Sequence, residues 1–140
     1  MSRFVDTPGL FADFYNANNA SAAAALVEER VAAAFIDHAP IFGALPDKAG
    51  FIKAVSVMNQ AFRQDYQVER IVSEGAMRVA IWRSHATHIG PILGVAPTGK
   101  SITVTDITAY EISDGLITAH WEQFDALTIL TALGIIPSVG

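Results

Sequence analysis

Residues 101–124 read Ser101-Ile102-Thr103-Val104-Thr105-Asp106-Ile107-Thr108-Ala109-Tyr110-Glu111-Ile112-Ser113-Asp114-Gly115-Leu116-Ile117-Thr118-Ala119-His120-Trp121-Glu122-Gln123-Phe124. Asp114-Gly115 between two apolar, β-branched runs is a strong hairpin signal. Ser101–Ile112 is therefore predicted as one strand and Leu116–Phe124 as its return. Residues two apart on a strand share a face. The even positions of the first strand (Ile102, Val104, Asp106, Thr108, Tyr110, Ile112) are the more apolar set and are predicted to point inward. They carry Asp106 with them, and a carboxylate on an apolar face is costly unless paired or protonated. On the returning strand the even positions include His120 and Glu122. A two-residue loop sets Glu122 opposite Ile107, beside Asp106 and Thr108, which conflicts with both even faces pointing inward. A one-residue slip or bulge removes the conflict and lets Asp106, Thr108, His120 and Glu122 cluster.

Outward from this hairpin, Met77–Thr87 reads as a long strand and Tyr66–Val72 as another, joined by a Glu74-Gly75 turn. Gly90, Gly94, Pro97 and Gly99 punctuate a loop with a turn at Pro97-Thr98-Gly99-Lys100. The first forty residues look helical. Asp6 or Thr7 can cap a helix with Pro8 at its first position, and Leu10, Phe11, Phe14 and Tyr15 share one helical face. Asn16-Ala17-Asn18-Asn19 breaks it. Ser21 is predicted to cap a second helix to about Arg30, and Val31–His38 is a strand or a turn of helix. A third helix is predicted from Lys48 to about Phe62, and a short one over Asp125–Leu133, ended by Gly134. Helices followed by an antiparallel meander imply an α+β domain with the helices on one sheet face. A sheet that curls around them forms a cone, which can leave an apolar pocket.

The chain has 140 residues, one domain's worth, 1–140. Hydrophobic residues make up 51% and charged residues 16%, with mean hydropathy +0.35. That composition excludes a disordered segment and hints at an apolar cavity or a subunit interface. Nine basic against 14 acidic residues leave no basic face for phosphate, so nucleic acid is not an expected partner. No cysteine is present, which removes disulfides, thiolate nucleophiles and Cys-based zinc sites. The first eight residues form no apolar h-region, so no signal peptide is expected, and no apolar run approaches the roughly 20 residues that span a bilayer. Cytoplasm is the expected compartment.

His85 and His88 are three apart, on opposite faces of a strand, so a metal site built from both is disfavoured. No metal is expected, because no His-x-His or His-x-x-x-His spacing exists. His88 sits where a strand gives way to a Gly-punctuated loop, a common place for functional residues. Each candidate also has a plainer reading. Asp106 can be a structural carboxylate and Glu122 a rim residue. His38 can be a local cap, His120 a packed strand residue, and Trp82, Trp121 and the phenylalanines core or interface.

The stretch His88-Ile89-Gly90-Pro91-Ile92-Leu93-Gly94-Val95-Ala96-Pro97-Thr98-Gly99-Lys100, with Asp114-Gly115-Leu116-Ile117, His120-Trp121-Glu122-Gln123-Phe124-Asp125 and the ending Ala132-Leu133-Gly134, resembles the SnoaL-like ester/polyketide cyclase family. Upstream, Ile36-Asp37-His38-Ala39-Pro40, Phe62-Arg63-Gln64-Asp65 and Glu74-Gly75 look like further family signatures. The resemblance implies the NTF2-like, cystatin-like cone, N-terminal helices packed on a curved, mostly antiparallel sheet. It implies ring closure by intramolecular aldol addition, with a carboxylate as general acid/base and no metal or organic cofactor. By register from the Asp-Gly turn, Glu122 falls where that carboxylate lies and His88 matches a pocket histidine. Asp106 and Thr108 stand where the cyclases carry Gln and His.

The resulting expectation is a cofactor-free enzyme acting on an apolar, carbonyl-bearing small molecule. Glu122 is its acid/base, assisted by His88 and Asp106. The substrate wall is assigned to His38, Thr108, Tyr110, His120, Phe14 and Trp82, with Tyr110 or His88 as donor to a developing enolate. A homodimer through the outer sheet face is expected. Rival readings are an epoxide hydrolase or isomerase in which Asp106 and Glu122 activate water, a non-catalytic carrier of an apolar ligand, and a purely structural dimerisation domain.

Overall fold

The computed structural model describes residues 12–139. The predicted cap at Asp6 or Thr7, Pro8 at the first helical position, and the apolar Leu10 and Phe11 lie outside the described residues. In chain order the elements are α1 (Ala12–Asn16), α2 (Ala20–Arg30), β1 (Val31–Asp37), a 3-10 turn (Ile41–Gly43), α3 (Lys48–Ala61), β2 (Phe62–Glu74), β3 (Met77–His88), β4 (Ser101–Ser113), β5 (Leu116–Phe124) and α4 (Ala126–Ala132). The strands form one sheet in the order β1-β5-β4-β3-β2. Only β1 and β5 run parallel; β2 with β3, β3 with β4 and β4 with β5 are antiparallel. The α+β reading is thus realised, and Val31–His38 resolves to strand.

Alternation along the strands separates an inner from an outer face. On β3 every second residue (Arg78, Ala80, Trp82, Ser84, Ala86, His88) is buried. On β4 the even set from Ile102 to Ile112 is buried, as its pattern predicts. The inner face meets Phe14 of α1, Val27 of α2, and Phe51, Val55 and Met58 of α3 in one apolar core. Phe14, Phe35 and Phe51 contribute ring contacts, with Phe51 5.7 Å from Phe14 and 5.4 Å from Phe35. The outer face, expected to meet a second copy, carries the exposed cross-strand pair Ile81 and Ile107.

At the hairpin turn both Asp114 (φ 52°) and Gly115 (φ 78°) are left-handed, the backbone that a two-residue turn between twisted strands requires. Beyond the turn, Ser113 faces Leu116 and Ile112 faces Ile117, but Glu111 then faces Ala119. Thr118 is the extra residue, and its hydroxyl donates to the Glu111 carbonyl at 3.4 Å. The slip required by the parity of the two strands is therefore present and lies two residues past the turn.

Two sequence expectations are corrected here. α2 is capped by Asn19, not Ser21: Asn19 is extended and its side chain accepts from the Ala22 amide at 2.9 Å. β2 begins at Phe62 rather than Tyr66, because α3 runs directly into the ladder with β3. Its other edge is occupied by side-chain amides. Asn16 accepts from the Tyr66 amide at 2.6 Å and donates to its carbonyl at 3.0 Å. Asn18 does the same with Gln64, at 2.7 and 3.0 Å. The segment that breaks the first helix thus doubles as a strand mimic that satisfies an open edge.

Asn16→Ala and Asn18→Ala each strip a donor and an acceptor from β2, which is expected to cost about 1–2 kcal/mol apiece. In thermal unfolding this is a drop of several degrees. Melting temperatures equal to the parent would contradict the edge-capping role.

Candidate active site

The slip at Thr118 sets Thr108 opposite Glu122 and Tyr110 opposite His120. Asp106, Thr108, His120 and Glu122 consequently share the inner face, and all are buried. Thr108 donates its hydroxyl to Asp106 Oδ1 at 3.1 Å. The Asp106 and Glu122 carboxyls lie close enough to shift each other's proton affinity, and Asp106 Oδ2 is buried without a hydrogen-bond partner among the described residues. His120 lies between Asp37 and Glu122, with Nδ1 3.3 Å from Asp37 Oδ1 and Nε2 3.4 Å from Glu122 Oε1. Tyr15 of α1 donates its hydroxyl to Glu122 Oε1 at 3.4 Å and stacks on Tyr66, rings 4.9 Å apart. The imidazole of His120 is flanked by Phe35 and Phe51 at 5.6 and 5.0 Å.

Burial governs the protonation of this string. It pushes the Glu122 carboxyl up, and the negative charge of Asp37 adds to it, while hydrogen bonds from Asp106 and Tyr15 oppose it. Burial, then the charge of Glu122, pushes Asp106 well above the ordinary carboxylate range. Asp37 is raised by burial, against the attraction of His120. His120 is pushed down by burial, against Asp37 and Asp106. Burial also raises Tyr15 and Tyr66 well above the ordinary phenol. Two carboxyls in contact cannot both ionise cheaply, so the pair holds a shared proton. A neutral imidazole has one N–H, so it can donate to Asp37 or to Glu122 but not to both. The other carboxyl then needs a proton of its own to make a hydrogen bond. A string of this kind can take up or release a proton at Glu122 with little rearrangement.

Glu122 lines an apolar cleft with Tyr15, Gln64, Tyr66, Ser84 and the aliphatic side chains of β3, β4, α3 and α4. The cleft encloses about 420 Å³ including its mouth, but only a small part of it is wide enough to admit a water molecule. A ligand must therefore spread its walls.

The other predicted site residues are placed as follows. Asp106, Thr108 and His120 stand behind Glu122 in the cluster rather than on the cleft wall. Tyr110 is buried across from His120. Phe14 is wholly buried against Phe51. Trp82 is buried edge-on to Tyr66, rings 6.2 Å apart. His38 is exposed and stacks on Trp121 at 4.5 Å. It borders a shallow depression that shares Ile41, Glu122 and Phe124 with the cleft. His88 is fully buried at the end of β3, facing the loop. Its Nδ1 accepts from the Thr98 amide at 3.1 Å and lies 2.9 Å from the Thr98 hydroxyl. With the Gly99 amide donating to the His88 carbonyl at 3.0 Å, it ties the Pro97–Lys100 turn to the sheet. His85 points outward, to Thr103.

Sequence reasoning missed Asp37, Tyr15, Gln64, Tyr66 and Ser84 as site residues. The parity rule applied to the hairpin would have found the last three, which share the inward phase of β2 and β3. Asp37 comes to His120 only through the parallel pairing of β1 with β5, which no local pattern announces. Among the described residues no group of three or more His, Asp or Glu is placed to hold a metal ion, and no helix is long and apolar enough to cross a membrane.

Residues 9–133 match the family described as SnoaL-like polyketide cyclase. No curated protein sequence matches the chain. Among solved structures it is similar to TsrD from Streptomyces laurentii, with 23% identity, 91% of each chain covered and a TM-score of 0.74. It is similar to a SnoaL-like polyketide cyclase candidate from Jannaschia sp. CCS1, with 23% identity, 91% of each chain covered and a TM-score of 0.76. IdmH from Streptomyces antibioticus, described as a candidate polyketide cyclase, is 26% identical, with 89% of this chain and 96% of that chain covered and a TM-score of 0.72. The NTF2-like cone expected from the sequence is the fold of these neighbours.

Asp106 holds a proton in the folded protein that the unfolded chain releases near pH 4. Its raised pKa thus contributes stability at low pH that is lost as pH rises towards the folded value. Asp106→Asn removes the ionisable group and keeps a donor towards Glu122. The variant is expected to melt a few degrees above the parent at pH 8, with the advantage shrinking towards pH 4. A pH-independent difference, or a variant less stable at pH 8, would contradict the shared-proton assignment.

Proposed function

The chain belongs to the SnoaL-like polyketide cyclase family, and from that premise we propose that it is a small-molecule enzyme that moves a proton at the carbon beside a carbonyl of an apolar substrate, with Glu122 as the acid/base. The observation that carries this reading is the place of Glu122. It lies on the wall of a largely apolar cleft, where Tyr15 of the same wall donates to it, and His120 meets it from outside the lining. A desolvated carboxylate with a raised pKa is a competent base near neutral pH.

In the ring closure this implies, Glu122 removes the proton and the electron pair moves to the carbonyl oxygen as an enolate. The enolate carbon bonds to a second carbonyl carbon of the same molecule. The alkoxide so formed takes the proton back from Glu122, so no atom is gained or lost. Every step is proton transfer or carbon–carbon bond formation within the substrate, and none calls on a cofactor. Asp106 acts through Glu122 as a positioning residue, keeping one proton in the pair. His120, oriented by Asp37, relays protons to the same carboxyl.

The rival readings make different demands. Epoxide opening by the two carboxyls needs both in contact with the substrate, whereas Glu122 lines the cleft and Asp106 does not. A carrier retains an apolar ketone without changing it. Exchange of the α-hydrogens of an apolar ketone such as 2-tetralone with solvent deuterium, followed by proton NMR, separates catalysis from retention. The parent protein is expected to accelerate exchange, and Glu122→Gln to lose the acceleration by about 10²–10⁴-fold while still folding. Retention of the ketone without exchange would favour the carrier, and full activity in Glu122→Gln would refute the assignment.

A further inference from the structure

Two polar side chains in the cleft have no role in the chemistry at Glu122. Gln64 on β2 and Ser84 on β3 are 5% and 2% exposed, and both line the cavity. The amide nitrogen of Gln64 and the hydroxyl of Ser84 are buried and make no hydrogen bond among the described residues. Buried donors are nearly always paired, because an unpaired one forfeits its hydration without return. Two of them, aimed into one apolar cleft from adjacent strands, form a site for an acceptor atom.

The register fixes where that site lies. Gln64 faces Ala86 across β2–β3, and Ser84 faces both Tyr66 and Val104. Glu122 is level with Thr108 on β4, and Thr108 with Ala80 on β3. Ser84 is four residues further along β3 than Ala80, about 13 Å of strand, and two strands across from Glu122. Long side chains reaching towards each other leave a gap on the order of 10 Å between the carboxyl and the donors. A carbonyl oxygen bonded next to the reacting carbon cannot bridge it. Gln64 and Ser84 therefore do not serve the oxygen that becomes the enolate.

We propose that Gln64 Nε2 and Ser84 Oγ form a distal subsite that binds a second acceptor oxygen of the substrate, a carbonyl or ether on the far side of its apolar body. The assignment rests on the reading of Glu122 as the reacting end and names the substrate class: an elongated, largely apolar molecule carrying oxygen at both ends. Between the ends, Met58, Phe62, Ala86, Ile102, Val104 and Ile129 offer only apolar contact. Length and the position of the second oxygen would then decide which ketones are accepted, since a site with buried donors discriminates strongly against a ligand that leaves them unpaired.

The test compares two probes of matching shape, 6-acetyl-2-tetralone and 6-isopropenyl-2-tetralone, which differ in an acceptor oxygen against a methylene at the distal end. Affinities are read by calorimetry. The parent is expected to bind the acetyl compound about tenfold more tightly. Gln64→Leu with Ser84→Ala is expected to bring the ratio to about one without lowering the melting temperature, since it removes unpaired polar groups from an apolar wall. Glu122→Gln is expected to keep the ratio. Equal affinity in the parent, no saturable binding of the acetyl probe, or a tenfold preference that survives the double substitution would each overturn the subsite. If the ratio behaves as expected while no variant or parent exchanges the ring α-hydrogens, the subsite stands and the acid/base reading of Glu122 falls.

Discussion

The one-residue slip at Thr118 is the constraint on which the rest of the site depends. Strand faces alternate with a period of two, so a pairing displaced by one residue turns every side chain over. Without the extra residue, Glu122 would share a face with Ile107, on the outer side of the sheet. With it, Glu122 lies opposite Thr108, and His120 opposite Tyr110, on the inner side. The slip thereby brings His120 and Glu122 to Asp106 and Thr108, where an apolar core would otherwise form. Their burial is sustained by mutual hydrogen bonds and by protons retained on carboxyls that water would strip.

The arrangement is a compromise between stability and chemistry. Burying Asp37, Asp106, His120 and Glu122 together raises the three carboxyls and lowers the histidine. Each shift reports a charged form that the fold disfavours. The rise at Glu122 is the shift that suits a base, since a carboxylate that holds its proton more tightly abstracts one more readily. Anchoring is distributed around the cluster. The Asn16 and Asn18 amides hold α1 on the edge of β2 and so keep Tyr15 over Glu122. His88 ties down the loop at the far end of β3. The cleft between these anchors is narrow, which suits a site that must exclude water until a ligand parts its walls.

Much of this was legible in the sequence because it is periodic. The even-position run from Ile102 to Ile112, the Asp114-Gly115 turn and the helical spacing of Phe51, Val55 and Met58 gave the α+β meander. The clash of parities in the hairpin is removed by a one-residue slip or bulge, and the structure has one at Thr118. What could not be read was non-local or chemically ambiguous. The cap of α2 fell to Asn19 rather than Ser21, since both are good caps and only the backbone conformation decides. The extension of β2 back to Phe62 depends on two asparagines nearly fifty residues upstream in the chain. Asp37 joins the cluster by parallel pairing across the whole domain. His88, a natural candidate for chemistry at a loop junction, has its Nδ1 committed to Thr98.

The central claim is that Glu122 and Asp106 form a buried pair sharing a proton at neutral pH. Carbon-detected NMR titration of the two side-chain carboxyls, in the ligand-free protein, tests it most directly. Both are expected to titrate above the ordinary carboxylate range, with each responding to the ionisation of the other. Two independent titrations near the values of exposed Asp and Glu would place both groups in water and contradict it.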